Sequence, residues 1–307
     1  MTKPTRPKGP RAASVRYTPR RQRGGNWFEM ASSPGSILAV GGAEDKVKKR
    51  GILQRFVREA GGKRARIAIV PTASSIPDER ATFYQQVFGE LGVAEAFHVP
   101  IVNRRDAQTA AAVEMIQGAS GVFLTGGDQS RLVAVLNETK AFETIRAGLV
   151  KGGTLAGTSA GAAAFSSTMI VGGSTGLSLR KDGVKLAPGL GVITRLIIDQ
   201  HFTQRDRLGR LLAAVSMAPE RLGVGIDEDT AIVYYGNGEI EVVGSGQVFI
   251  LDAARAAAKG LDGVKTKPFT LSGVVLHVLV EGDRFNVVSR EMLLPGETTD
   301  ASVRPVG

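Results

Sequence analysis

The sequence predicts an α/β fold: a mostly parallel sheet flanked by helices, with additional antiparallel strands in the C-terminal third. Three observations predict it. Short, continuously apolar runs recur without polar alternation, the mark of strands buried on both faces. Most runs are closed by Gly, Pro or Ser and followed by a helix-period segment, as in successive βαβ units. After Gly223 the rhythm changes to closely spaced β runs with no helical pattern between them.

In order, Ile37–Val40 is the first strand, stopped by Gly41-Gly42 and followed by a polar helix pattern from Glu44 to Ala60. Arg66–Val70 is the second, ended by Pro71-Thr72-Ala73-Ser74, and Pro77–Leu91 reads as its helix, with Pro at the favoured first position. Ala96–Ile101 is strand-like, Asp106–Ile116 helical, and Val122–Thr125 a strand stopped by Gly126-Gly127-Asp128. Ser130–Val150 is one helical stretch, and Thr154–Thr158 a strand. A strand at Leu196–Ile198 precedes a helix running to Ala218. Ala231–Tyr235, Ile240–Val243, Gln247–Leu251, Val274–Val280 and Phe285–Ser289 are the late antiparallel strands. In an open parallel sheet ligands bind beyond the carboxyl ends of the strands. Gly41-Gly42, Pro71–Ser74, Gly126–Gln129 and Ser159 all lie there and should share one mouth.

Composition narrows the chemistry. The 307 residues, 43% of them hydrophobic, suffice for one large α/β domain over residues 31–307, with no internal linker or repeat. There is no cysteine, which excludes disulfides, thiolate metal sites and cysteine nucleophiles. No clustered His/Asp/Glu set has metal-ligand spacing, so neither metal nor cofactor is expected. No apolar run is long enough for a bilayer, and the N-terminus lacks a hydrophobic signal core; a cytoplasmic protein without membrane contact is the expectation. The net charge of +10 suggests nucleic acid, but residues 1–30 hold eight basic residues against Glu29 alone, leaving +3 for the rest. That segment reads as a disordered tail, and nucleic-acid binding as unlikely.

The chemistry-bearing motif is Gly157-Thr158-Ser159-Ala160-Gly161, a Gly-x-Ser-x-Gly strand-to-helix turn. Such a turn lifts the serine hydroxyl clear of its backbone and places the following N–H, here of Ala160, toward a developing oxyanion. Gly157 and Gly161 allow close backbone approach. A tight turn that merely contains serine is the bland alternative. Of three histidines, His98 and His277 sit within strands and read as structural or surface residues. His201, after Leu196-Ile197-Ile198-Asp199-Gln200, falls at a strand end and is the best general base. Arg205, Arg207 and Arg210 follow it, and guanidinium groups grip carboxylates in bidentate fashion. Asp199 could hold a cationic substrate group or orient a side chain.

Phe123–Gln129, Gly157–Ala162, the run Asp199-Gln200-His201-Phe202 with Gln204-Arg205 and Arg207–Leu212, and Gly225–Ala231 together resemble the cyanophycinases, serine peptidases related to aspartyl dipeptidases. The resemblance spans Ser36 to Tyr235. It implies a homodimeric exopeptidase that cuts cyanophycin, a poly-aspartate backbone with arginines on its β-carboxylates, into β-aspartyl-arginine dipeptides through an acyl-enzyme. It implies Ser159 as nucleophile, His201 as acid–base, and the Gly127 and Ala160 amides as oxyanion hole. Gln129, Asp199, Gln200, Arg205, Arg207 and Arg210 fall where the family binds substrate. The resemblance also implies a third, carboxylate member shortly after the serine, but Ser174-Thr175-Gly176-Leu177-Ser178 occupy that window and the next acid is Asp182. Asp182, Asp227 and Glu228 are open substitutes, a bare Ser159–His201 pair another option, and no third member is assigned. Two other readings stand beside this one: an aspartyl dipeptidase-like hydrolase, and a polymer-binding homologue that has lost catalysis.

Overall fold

A computed structural model describes Phe28 and residues 34–294 of the chain. The basic segment 1–30 lies outside the described residues, Phe28 apart; the Phe28 ring is buried 6.1 Å from that of Tyr234. Five strands build the parallel half of the main sheet: β1 (Ser36–Val40), β2 (Arg66–Val70), β3 (Glu95–His98), β4 (Gly121–Leu124) and β5 (Thr154–Thr158). The helices between and after them are α1 (Gly51–Glu59), α2 (Pro77–Glu90), α3 (Ala110–Gln117), α4 (Gln129–Leu136), α5 (Lys140–Val150) and the short α6 (Ala160–Ala163). A hairpin of β6 (Thr168–Gly173) and β7 (Val184–Pro188) leads to β8 (Leu196–Gln200), α7 (Leu208–Met217) and β9 (Leu222–Ile226). The remainder is β: β10 (Thr230–Tyr235), β11 (Glu239–Gly244), β12 (Val248–Asp252), β13 (Ala257–Lys259), β14 (Thr270–Ser272), β15 (Val275–Leu279), β16 (Arg284–Asn286) and β17 (Glu291–Leu293).

The main sheet runs β17-β16-β11-β10-β1-β5-β4-β2-β3. It is parallel from β1 to β3 and antiparallel from β10 outward. The late strands do not all join it. β15 pairs instead with β12, and β12 with β9, which lies parallel to β8, as a second sheet of order β15-β12-β9-β8. The predicted mouth forms: the Asp128 N–H reaches the Ala73 carbonyl at 2.9 Å and the Ser159 N–H reaches that of Val40 at 2.9 Å.

Two predicted helices are shorter than their pattern. Residues 44–50 form a loop wound around the Asp45 carboxylate, which accepts the N–H groups of Val47, Lys48, Lys49 and Arg50. These donors hold its pKa well below the usual carboxylate range. Helix α1 therefore starts only at Gly51. The stretch 130–150 breaks at Asn137 and Glu138, the latter at φ 56°, and restarts where the Thr139 hydroxyl accepts the Phe142 N–H. A side chain that offers the backbone an alternative partner thus sets both boundaries.

One face of the main sheet packs on α1 and α2 around a fully buried aromatic cluster, in which Phe123 meets Phe56, Tyr84 and Phe88 at ring-centroid distances of 5.6, 4.6 and 5.3 Å. The opposite core joins Ile37, Ala39 and Leu155 of the main sheet to Leu196, Ile198, Val224 and Ile250 of the second. That shared core brings β8 and β9 against the carboxyl ends of β1 and β5.

Candidate active site

Ser159 follows β5 directly and adopts φ 51°, ψ −109°, which a residue with a Cβ holds at a cost of about 1–3 kcal/mol unless its surroundings impose it. Here they do. A Cβ on Gly157 would lie 2.6 Å from the Gly161 carbonyl carbon, and one on Gly161 would lie 2.6 Å from the Leu124 carbonyl oxygen. The flanking glycines let β5, β4 and α6 close around the serine. Ala160 is the first residue of α6, where an N–H has no intrahelical acceptor. On the other side of Ser159 runs Gly126-Gly127: a Cβ on Gly126 would stand 3.3 Å from the Ser159 Cβ. Gly127 takes φ 144° and passes so close to Ala73 that any side chain would collide with its carbonyl.

His201 arrives from the second sheet. Its N–H donates to the Gly41 carbonyl at 2.8 Å, and its Nε2 lies 2.9 Å from Ser159 Oγ. Gly42, at φ 98°, faces the imidazole; an added Cβ would sit 2.4 Å from Cε1. On its far side, Nδ1 lies 2.6 Å from Oε1 of Glu228. With Nδ1–H donating to that carboxylate, Nε2 is left as acceptor for the serine hydroxyl. Burial lowers the His201 pKa below the ordinary histidine value; Glu228 opposes this, while Arg205 and Arg207 add to it. The imidazole is therefore neutral near pH 7 and able to take a proton.

Glu228 settles which carboxylate faces the histidine. It sits in the turn between β9 and β10 with two other acids. Asp227 accepts the Thr203 N–H and hydroxyl, whereas Asp229 accepts the Asp45 N–H and the Ser245 hydroxyl. The Asp229 N–H also donates to the Gly42 carbonyl, and the Gln204 amide oxygen accepts the Glu228 N–H. Asp182 pairs with Arg180 instead. The sequence signal for Glu228 was three consecutive acids at a strand end facing the mouth; only the turn distinguishes among them.

The residues around His201 divide by burial. Asp199 is 1% exposed and accepts from Arg210 Nε at 2.6 Å, from Arg210 Nη2, and from Arg207 Nη1 at 3.2 Å. Arg207, itself buried, also donates to the Gln200 carbonyl and to Gln200 Oε1, which lies 3.4 Å from Ser159 Oγ. Burial brings the Arg207 pKa down to about 10, with Asp199 pulling the other way. Asp199, Arg207 and Arg210 thus meet one another, and Arg205 alone of the three arginines is exposed. Gln129, opening α4, is half-buried and donates Nε2 to the Ile170 carbonyl at 2.9 Å. His98 and His277 lie in β3 and β15, the first 3.8 Å from Asp78 and the second with its ring against Phe285.

Beside Ser159 opens a cleft of about 370 Å³ whose walls include Ser159, Gly127, Ile76, Arg80, Tyr84 and Lys46. Its inner wall is Glu44, 3% exposed, which accepts the Tyr84 hydroxyl at 2.5 Å and the Thr158 hydroxyl at 2.6 Å. Burial and the neighbouring Glu44 raise the Tyr84 pKa well above its usual value. Among the described residues no helix is long and apolar enough to cross a membrane.

Residues 37–242 match the sequence profile of peptidase family S51. The chain is 42% identical over 261 residues to a cyanophycinase of Nostoc sp., covering 84% of this chain and 87% of that one. It is 43% identical over 253 residues to a cyanophycinase of Geminocystis herdmanii, covering 82% and 93%. A crystal structure of a peptidase from an acI-B1 actinobacterium superposes with a TM-score of 0.62 over 82% of this chain and 97% of that one; at 24% identity it speaks for the fold.

Proposed function

The chain belongs to peptidase family S51, and from that premise we propose that it is a serine exopeptidase hydrolysing cyanophycin to β-aspartyl-arginine dipeptides, with Ser159, His201 and Glu228 as its catalytic residues. The observation that carries the proposal is the hydrogen-bonded chain Ser159 Oγ–His201 Nε2 and His201 Nδ1–Glu228 Oε1, at 2.9 and 2.6 Å. His201 takes the hydroxyl proton as Oγ attacks a backbone aspartyl carbonyl, and Glu228 stabilises the imidazolium that results. The N–H groups of Gly127 and Ala160 receive the oxyanion. The imidazolium then protonates the leaving amine as the C–N bond breaks, giving an acyl-enzyme. Water, deprotonated by His201, attacks that ester; the acid leaves and Oγ regains its proton.

For substrate contact we take Gln129 at the start of α4, Gln200, 3.4 Å from Ser159 Oγ, and the exposed Arg205 beside His201. Asp199, Arg207 and Arg210 stand behind them and hold Gln200 toward Ser159 Oγ. A cytoplasmic homodimer with residues 31–307 as one domain completes the proposal, on the strength of the resemblance.

The test is incubation of the protein and its Ser159→Ala variant with cyanophycin, with identification of the products. Wild type is expected to release β-aspartyl-arginine and the variant none; hydrolysis persisting in the variant would remove Ser159 from its role. Wild type cutting aspartyl dipeptides but not the polymer would favour the dipeptidase alternative. No hydrolysis, together with no labelling of Ser159 by a fluorophosphonate, would leave a binding protein.

A further inference from the structure

We infer that Arg80 is a specificity-determining residue that receives a carboxylate of the substrate in the cleft beside Ser159, an inference that rests on the cyanophycin reading. Three charged side chains and the Tyr84 hydroxyl matter here, and all but one of the four are satisfied within the protein. Glu44 is occupied by the Tyr84 and Thr158 hydroxyls and by the Lys46 ammonium, 3.2 Å from Oε1. Lys46 also donates to the Glu44 carbonyl at 2.8 Å. The Tyr84 hydroxyl is spent on Glu44. Arg80 is the exception: half-buried, lining the cleft, and acting on Tyr84 through its charge, its guanidinium has no hydrogen-bond or ion-pair partner among the described residues.

The cleft therefore presents an unused guanidinium while its one carboxylate is closed off from behind. That combination selects for an anion and against a cation, because a guanidinium entering the cleft would find Glu44 already bonded and Arg80 repelling it. A guanidinium fork binds a planar carboxylate through two parallel N–H···O bonds. Each cyanophycin repeat carries one free carboxylate, on the α-carbon of its arginine branch, and the chain adds another at its C-terminus. Either would sit beside the nucleophile when Arg80 holds it. The inference goes beyond the catalytic residues: it says which charge of a zwitterionic repeat faces this side of the serine.

Arg80→Gln and Arg80→Lys are compared with wild type on three synthetic aspartyl-arginine oligomers: one unmodified, one with its arginine α-carboxylates amidated, one amidated only at the C-terminus. On the unmodified oligomer Arg80→Gln should lower kcat/KM about tenfold or more, the loss residing in KM, with partial rescue in Arg80→Lys and unchanged Ser159 labelling by a fluorophosphonate. The amidated oligomer that presents no partner for Arg80 should cost wild type the same factor and cost Arg80→Gln nothing further. Which amidation does this identifies the carboxylate. Equal kcat/KM for wild type and Arg80→Gln on the unmodified oligomer would overturn the Arg80 assignment alone, as would losses from substitution and amidation that multiply. If wild type labels at Ser159 but cuts none of the oligomers, the cyanophycin reading falls and the Arg80 assignment with it.

Discussion

At the scale of single residues, the site is a set of side chains whose alternatives have been closed. His201 has one neighbour on each ring nitrogen, and its neutral form is favoured by burial. With the neutral imidazole as the proposed base, activity should be present at neutral pH and fall as pH drops through a pKa below the ordinary value of about 6.5. A pH profile of kcat/KM with its acid limb above that value would contradict this. Glu228→Gln removes the charge that raises the His201 pKa and the acceptor that fixes its tautomer. The acid limb should move to lower pH and kcat should fall by up to about 10⁴-fold, while fluorophosphonate labelling slows in parallel. Gly42→Ala drives a methyl into the imidazole at a backbone angle suited to glycine. Misplacing the base by an ångström should lower kcat by about 10²-fold, with far-UV circular dichroism unchanged.

At the scale of elements, the strand ends carry the chemistry and the buried ion cluster fixes one of them. The Asp199 carboxylate at the end of β8 is enclosed by Arg207 and Arg210 from the start of α7, tying strand to helix. Asp199→Asn leaves two buried guanidinium groups without their anion and should destabilise the protein by about 3–5 kcal/mol, read as a lower urea midpoint. Arg205→Ala, an exposed change next to the same cluster, should leave that midpoint unchanged. On the far face of the main sheet, Phe123 at the centre of four rings in contact anchors α1 and α2. Phe123→Ala should cost about 3–5 kcal/mol, read as a lower urea midpoint.

For the molecule as a whole, the proposed nucleophile and base come from different sheets. Ser159 caps a strand of the large sheet and His201 one of the small sheet, and a single buried cluster spans both. If residues 31–307 unfold as one unit, as proposed, activity and far-UV circular dichroism should be lost at coincident urea concentrations. Activity vanishing in an earlier, separate step would mean that the small sheet opens by itself.

The amino-acid sequence by itself determined the alternation of buried strands and helices, the common mouth at their carboxyl ends, the elbow at Ser159 and the candidacy of His201. Those features are written in periodicity and in short motifs, where each residue type reports its own local geometry. Helix boundaries at Asp45 and Thr139 were not legible, since a side chain competing for backbone N–H groups looks like any polar residue in a helical pattern. Nor was the division of the late strands between two sheets, which depends on long-range pairing. The carboxylate that faces His201 was decided by tertiary structure alone. Asp227, Glu228 and Asp229 are chemically near-equivalent neighbours in the chain. A turn pinned by Gly42, Thr203 and Gln204 sends one of them to the imidazole and the other two to backbone and hydroxyl donors. A carboxylate's role follows from the donor it meets, and that donor lies 27 residues earlier in the sequence.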